Sequence, residues 1–398
     1  MKKFYFLICL LIISTFAFSQ WTKQNPFPTG NALSSVVFSD ANTGYTVGTN
    51  GTILKTSNGG TTWITLSSGT TNDLGSIFFT NANTGYCVGG FRTILKTING
   101  GSTWTVLSSG ENYLSSVYFT DDNTGYAVGN GATILKTING GATWTALSSG
   151  IPNYFYLNSV YFTDANTGYA VGFAGTIIKT INGGADWSTL SIGSTTKLDA
   201  VYFTDVNTGY TVGEDEQGNG IIFKTINGGT NWAALSSGTN QGLYSVCFTN
   251  ANTGYVMGAG GTILKTINAG TTWTAQLSGT TYDLYSVYFT DANTGYAVGL
   301  NGTILKTTNG GTGYSDLSFT SKTLNIYPNP LSEKITIELS GIPCTSQLSI
   351  MNLNGQEVMQ YKITEPKTQL DISNLPSGVY FVRMTNERTV EVVKFVKQ

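Results

Sequence analysis

Seven tryptophans recur along this chain at a nearly constant interval. They are Trp21, Trp63, Trp104, Trp144, Trp187, Trp232 and Trp273, with gaps of 42, 41, 40, 43, 45 and 41 residues. Tyr45, Tyr86, Tyr126, Tyr169, Tyr210, Tyr255 and Tyr296 keep the same beat. A repeat of this length is one supersecondary unit that cannot bury its own apolar face and must stack on its neighbours. Paired-helix repeats have similar periods, so the type of unit has to be argued from the residues. In the best-kept copy, LYSVYFTDANTGYAVGLNGTILKTTNGG (residues 284–311), Thr, Val, Tyr, Ile and Phe crowd short runs between Gly/Asn clusters. That composition builds strands and turns.

Each unit reads as four strands: SVYF, GYAVG, TILKT and WTALSS, separated by TDANTG, an x-N-G turn and NGGTT. Seven four-stranded units around an axis form an all-β, seven-bladed β-propeller. The seventh unit has Tyr314 where the others have Trp, and the missing Trp stands at the N-terminus in WTKQNPF. Residues 21–27 are therefore expected to supply the outer strand of the last blade. Such closure removes the free sheet edges that invite aggregation.

The ends of the chain differ from the repeats. Lys2 and Lys3, the apolar run FYFLICLLII and Ala17-Phe18-Ser19 read as a signal peptide over residues 1–19. No later segment is long and apolar enough for a transmembrane helix. Of 49 glycines, only three follow Ser321, whereas five of the eight prolines do. The expected domains are thus a propeller over 20–320 and a small β-sandwich over 321–398. Residues 20–321 carry a net charge of −5 and the remainder +1, which gives no electrostatic reason to expect nucleic acid as a partner. Beyond the signal peptide, Cys87 and Cys247 lie four repeats apart, too far to pair, and Cys344 is in the tail domain, so all three are expected as buried free thiols.

The chain has no histidine. That removes Ser-His and Cys-His nucleophile systems and the common His-containing zinc sites. D-x-N-x-G in the TDANTG turns hints at calcium, but Asn81 and Asn250 replace Asp in two copies and no copy has the distal Glu. These turns are expected to be structural, with no metal and no cofactor. A carboxylate-pair glycan hydrolase remains the alternative function, since such chemistry needs only two acids. The repeat region's glutamates are Glu111, Glu214 and Glu216, with Asp215 between the last two.

Comparison of the copies with one another locates variation in the loops after strand four and between strands two and three, which share one face. They carry Phe91, Arg92, Tyr113, Tyr154, Phe155, Tyr156, Phe173, Glu214, Asp215, Glu216, Tyr282 and Asp283 as candidate ligand-binding residues. Exposed aromatics on variable loops suit sugar stacking or protein contact, or else they cap the open end of the ring.

Two resemblances add to this reading. KTINGGTTW resembles the Asp-box of neuraminidase-type repeats, with Asn58, Asn99, Asn139, Asn182, Asn227, Asn268 and Asn309 in the Asp place. With the repeated NTGYxVG, residues 20–320 resemble propellers of the photosystem II stability/assembly-factor type, in which the box is structural. Sialidases of this fold clamp their substrate with three arginines; the propeller has only Arg92. The tail resembles the type A C-terminal sorting domain of type IX secretion through Tyr327-Pro328-Asn329-Pro330, Asn354-Gly355, the segment around Gly378 and Tyr380, and Lys394-Phe395-Val396-Lys397. This resemblance implies passage through the periplasm and over the outer membrane by that machinery, with the tail removed by its C-terminal signal peptidase. These export signals argue against a photosynthetic role. The function expected is a non-catalytic surface or extracellular binding or adhesion module with a glycan or protein ligand.

Overall fold

In a computed structural model, the described residues are 20–24, 28–108, 110–311, 324–330, 333–339, 346–352, 356–385 and 390–398. Signal-peptide residues 1–19, Tyr314 and Cys344 lie outside them. The chain divides into two compact units, residues 1–313 and 314–398.

The first unit is a ring of seven four-stranded antiparallel sheets. Blade 1 comprises Leu33–Phe38, Gly44–Gly48, Ile53–Thr56 and Ile64–Leu66. Blades 2 to 6 repeat this order, from inner strands Leu74–Phe79, Leu114–Phe119, Leu157–Phe162, Lys197–Phe203 and Leu243–Phe248. Blade 7 comprises Leu284–Phe289, Gly295–Gly299 and Ile304–Thr307, and its fourth strand is Thr22–Lys23. Thr22 pairs with Lys306 and Lys23 with Leu305. The N-terminal strand thus closes the ring as the sequence predicts. It is shorter than expected, and residues 25–27 of the expected segment lie outside the described residues.

One aromatic triad recurs at every blade interface. The strand-two tyrosine of one blade stacks on the phenylalanine ending the next blade's inner strand, with centroids 4.0 to 4.2 Å apart. The tryptophan of that next blade meets the phenylalanine edge-on at 5.8 to 6.2 Å. Offset and edge-to-face pairs match the ring quadrupoles. The triads account for both sequence periods, and for the glycines beside them. A Cβ on Gly44 would lie 2.5 Å from the Phe38 ring, and one on Gly60, at φ +80°, 2.8 Å from Tyr296.

A polar clasp lies over each triad. The tyrosine hydroxyl donates to the carbonyl after the box asparagine of the next blade, at 2.7 to 2.9 Å. Lys55, Lys96, Lys136, Lys179, Lys224 and Lys306 donate to the same oxygen at 2.6 to 2.8 Å. Each ammonium also lies 5.3 to 5.5 Å from the tyrosine centroid, within cation–π range. Nearer the axis, inner strands are linked by Ser Oγ accepting from the next strand's backbone N–H, as Ser35 does from Ile77 and Ser286 from Val36.

The second unit packs a three-stranded sheet (Leu324–Tyr327, Lys334–Leu339, Lys367–Asp371) and a four-stranded sheet around one core. Ile335 and Ile337 from the first and Leu348, Ile350 and Val382 from the second are fully buried in it. This is the expected small sandwich.

Trp21 is fully buried, edge-on to Phe289 at 5.8 Å and Tyr255 at 6.3 Å. Trp21→Ala should therefore destabilise the ring by about 3–5 kcal/mol, lowering the thermal midpoint by several degrees in a calorimetric or circular-dichroism melt.

Candidate functional site

The two faces of the ring do different work. On one lie the TDANTG turns and the boxes, all built alike. In the box of blade 1, Asn58 Oδ1 accepts from the Thr56 hydroxyl at 3.0 Å and from Thr62 N–H at 2.9 Å, while Thr56 Oγ1 accepts from Gly60 N–H. Asparagine supplies the oxygen an aspartate would. Its Nδ2 adds a donor, used by Thr62 Oγ1 here and by Asp186 Oδ2 in blade 4. In the TDANTG turns the Asp or Asn oxygen accepts the next two backbone N–H groups but one, as Asp40 Oδ1 does from Asn42 and Thr43 and Asn81 Oδ1 from Asn83 and Thr84. These are Asx turns, the structural role expected of them. No group of three or more Cys, Asp or Glu among the described residues is placed to hold a metal.

The variable loops share the other face. Tyr154 and Tyr156 stand exposed, with Phe155 half-buried between them. Phe155 is 4.7 Å from Tyr154 and 6.4 Å from Phe173, and Tyr156 is 6.1 Å from Phe173. The loop is pinned from beneath: Ala132 N–H donates to Phe155 O at 2.8 Å and Phe173 N–H to Tyr156 O at 2.9 Å. Four of the predicted residues therefore form one aromatic cluster over blades 3 and 4. Its solvent side is not forced by core packing, since Tyr154 is 67% and Phe173 47% exposed.

Phe91 and Arg92 fill the turn where blades 1 and 7 have Asn-Gly. Both are left-handed, at φ +51° and +49°. Bulky residues adopt that region at a cost of order 1 kcal/mol or more each. The turn is held by Gly110 N–H donating to Phe91 O and Arg92 N–H to Asn112 O. Phe91 is left 65% exposed. The Arg92 stem lies against Gly110. Tyr113 turns inward, its hydroxyl over Gly75, and burial, then the Asp73 carboxylate, pushes its pKa up.

The acidic loop does not act as a unit. Glu214 Oε1 is 3.3 Å from Lys197 Nζ, Asp215 Oδ1 accepts from Gln217 and Asn219 N–H within its own turn, and Glu216 accepts from the Thr195 hydroxyl. Asp283 Oδ1 accepts from Gly260 N–H, and Lys23 lies 5.8 Å over the Tyr282 ring. These residues share the face with the aromatic cluster without joining it.

Sequence reading places Lys197 on this face but passes over the axial residues beside it, Asp199, Tyr244 and Tyr285. Asp199, on the inner strand of blade 5, forms a 2.9 Å ion pair with Lys197. Burial pushes its pKa up to about 6, against the pull of Lys197. Beside it, Lys197 lies 5.9 Å over the Tyr244 ring, and Tyr244 is 5.7 Å from Tyr285. The signal was present: Ser34, Gly75, Ser115 and Asn158 occupy the matching places in blades 1 to 4.

In the tail, Asn329 clamps the last strand, Val390–Lys397: its Oδ1 accepts from Val396 N–H at 2.9 Å and its Nδ2 donates to Lys394 O. The peptide bonds before Pro328 and Pro330 are cis. Tyr327 donates to Glu338, and Tyr380 stacks on Phe395 and donates to Pro376 O. Gly378 opens the strand that carries Tyr380. Lys394 is exposed, whereas Lys397 is buried with its ammonium donating to the carbonyls of Ile372, Ser373 and Leu375. Lys397 thus anchors the last strand, while Lys394 stays at the surface.

These geometries agree with comparisons to known proteins. Residues 13–111, 108–242 and 235–325 match the family described as photosynthesis system II assembly factor YCF48, and residues 325–398 match the secretion system C-terminal sorting domain. The chain belongs to the YCF48 family and carries a sorting domain at its C-terminal end. Similar solved structures include a YCF48 bound to a D1 peptide (20% identity, TM-score 0.62, covering 73% of this chain and 98% of that one). YCF48 from Cyanidioschyzon merolae is 21% identical, with a TM-score of 0.60 and coverage of 72% and 98%. PorZ, a surface component of the type IX secretion system of Porphyromonas gingivalis, covers 94% of this chain and 60% of its own at 12% identity and TM-score 0.54. At these identities the structures establish fold alone. No curated protein matches the sequence. The sorting domain marks the chain for translocation over the outer membrane, to the cell surface or the medium. Among the described residues no helix is long and apolar enough to cross a membrane.

Two pH effects follow. Backbone N–H donation lowers the pKa of Asp40, Asp121 and Asp291; at Asp164 and Asp205, burial raises it but the same donors prevail. Their stabilising contribution is complete above the unfolded value of about 4 and is lost as pH falls below it. Changing all five to Asn, which already makes the same bonds at Asn81, should flatten the loss of melting temperature below about pH 4. Asp199 has the opposite sign: its raised pKa favours the protonated fold, a contribution lost as pH rises from about 4 through about 6. Asp199→Asn should therefore raise the melting temperature at pH 8 relative to wild type and leave it nearly unchanged at pH 4.

Proposed function

We propose that the mature chain is a non-catalytic binding module, displayed on the cell surface or released, and that the Tyr154–Phe155–Tyr156–Phe173 cluster is its main contact for a glycan or protein ligand. The carrying observation is this cluster: four aromatic side chains in mutual contact, set on a rigid sheet ring and left partly open to solvent. Large aromatic surface held at low entropic cost is what stacking on sugar rings or apolar side chains requires. Phe91, kept exposed on a left-handed turn, extends the apolar character of this face over blade 2.

A relative supports ligand binding by this fold: one YCF48 has been solved with a peptide bound. The hydrolase alternative is not favoured by the acidic loop, because Glu214, Asp215 and Glu216 turn to three separate partners. The tail serves delivery: handling by the type IX machinery and removal by its C-terminal peptidase complete this reading.

Glycan-array and cell-binding assays on the purified propeller test it. Tyr154→Ala with Phe173→Ala should weaken binding at least about tenfold, the effect of losing ~1.4 kcal/mol, without lowering the melting temperature. Undiminished binding by that variant, or turnover of chromogenic glycosides by the wild type, would overturn the proposal. For delivery, a periplasmic reporter fused to residues 322–398 should reach the surface in a competent host, and Lys397→Met should retain it in the periplasm.

A further inference from the structure

The axial channel has a second, chemically different site. The second residue of each shared inner-strand motif is Ser34, Gly75, Ser115, Asn158, Asp199, Tyr244 or Tyr285, and every one is partly buried, with some surface left open. On strands ringed by six others, that exposure is to the axis. Three positions further along stand Val37, Phe78, Tyr118, Tyr161, Tyr202, Cys247 and Tyr288, also partly buried. Their rings touch in sequence, with Phe78, Tyr118, Tyr161 and Tyr202 each 5.3 Å from the next. Tyr118, Tyr161, Tyr202 and Tyr288 spend their hydroxyls on backbone carbonyls of the next blade. The channel therefore has an aromatic floor and, nearer the variable face, a lopsided wall. Small residues line blades 1 to 3, and Asp199, Tyr244 and Tyr285 line blades 5 to 7.

That wall already holds one organic cation. Lys197 lies against the Tyr244 face and reaches both Asp199 and Glu214, at 2.9 and 3.3 Å. Its side chain is 39% exposed. The balance of charge is incomplete. Lys197 serves two carboxylates at once, Asp199 and Glu214. Moreover, Asp199 Oδ2 is buried and receives no hydrogen bond from any donor among the described residues, although its side chain is only 14% exposed. A buried carboxylate oxygen without a donor is costly, and a charge-assisted donor is its strongest remedy. An aromatic face, two carboxylates and a spare acceptor are the elements of a seat for a nitrogen cation.

We infer that the axial mouth of blades 5 to 7 binds an ammonium or guanidinium group, which displaces Lys197 from between Asp199 and Tyr244 and hydrogen-bonds to the Asp199 carboxylate. The seat lies at the axis on the side opposite the small residues Ser34, Gly75 and Ser115 of blades 1 to 3. Lys197 acts as a tethered stand-in that keeps the carboxylates paired until the ligand arrives. This site is separate from the aromatic cluster on blades 3 and 4 and does not rest on it.

Titration calorimetry of the whole secreted protein at pH 8 and low salt tests the inference, with the blocked tripeptides Gly-Lys-Gly, Gly-Arg-Gly and Gly-norleucine-Gly and the free amine putrescine. The basic tripeptides or putrescine should bind at least about tenfold more tightly than the norleucine peptide, a gap of ~1.4 kcal/mol. Preference for the peptides assigns the seat to basic side chains and preference for putrescine assigns it to free amines, and both support it. Asp199→Asn, checked for an intact melt, should abolish the preference, Lys197→Met should strengthen binding by removing the internal competitor, and Phe173→Ala should change nothing. Equal binding of the norleucine peptide, retention of the preference by Asp199→Asn, or weaker binding by Lys197→Met would overturn the inference. Loss in Phe173→Ala would also overturn it, by placing the ligand at the other site.

Discussion

One backbone carbonyl per blade, the oxygen that follows the box asparagine, is the point on which the ring is assembled. It receives the tyrosine hydroxyl of the preceding blade and, in six interfaces, the ammonium of that blade's lysine. A neutral carbonyl accepting a charged donor makes a stronger bond than one accepting an amide. The lysine can be held there because its stem and charge lie along the tyrosine ring. This explains why the most regular cation in an otherwise charge-poor chain is an interior one. It also explains why the box is rigid. The Thr-x-Asn-Gly-Gly turn must deliver its carbonyl to the neighbour at a fixed angle, and the Asn58 and Thr56 side chains lock that angle from within. Local turn chemistry thus sets the spacing between blades, and the triads of Tyr, Phe and Trp fill the space so set.

Much of this was legible because repetition exposes constraint inside a single chain. The tryptophan and tyrosine periods revealed the interfaces, and the displaced Trp21 revealed how the ring closes; it meets Phe289 edge-on as its counterparts meet theirs and is more deeply buried than they are. The structural nature of the turns was legible from Asn81 and Asn250, since a position that alternates between Asp and Asn needs an acceptor rather than a charge. What could not be read was whether loop residues converge. Glu214, Asp215 and Glu216 are contiguous in sequence, yet strand pairing sends Glu214 to Lys197 while a tight turn keeps Asp215 for its own backbone. Tyr154 and Phe173 are distant in sequence, yet backbone bonds between the two loops bring their cluster together. Asp199 was missed for another reason. Inner-strand residues read as core by periodicity, and only the ring geometry shows that the second and fifth of each motif face the axis.

The variable face combines two forms of departure from the repeat. Over blades 2 to 4 the departures are apolar and outward: Phe91 accepts a left-handed backbone to stay exposed, and the Tyr154–Tyr156 loop is propped up rather than folded inward. Over blades 5 to 7 they are polar and axial: Asp199 stands where blades 1 to 3 have Ser34, Gly75 and Ser115, and it pairs with Lys197, which also reaches Glu214. A cap that merely sealed the ring would bury its aromatics and pair its charges. Here the aromatic rings remain open, and one carboxylate oxygen lacks a donor among the described residues.

The tail obeys the same logic with a different partner. Its last strand is held by Asn329 from the Tyr-Pro-Asn-Pro segment and by Lys397, whose three ammonium protons each find a carbonyl between Ile372 and Leu375. A buried lysine is expensive unless all its donors are used, so the final strand can seat in one register only. Shifting that strand by one residue would swing Lys397 out of its carbonyl ring and turn Phe395 away from Tyr380. The ends of the sorting domain, Tyr327 to Pro330 and Lys394 to Lys397, are therefore coupled, because Asn329 clamps the one to the other.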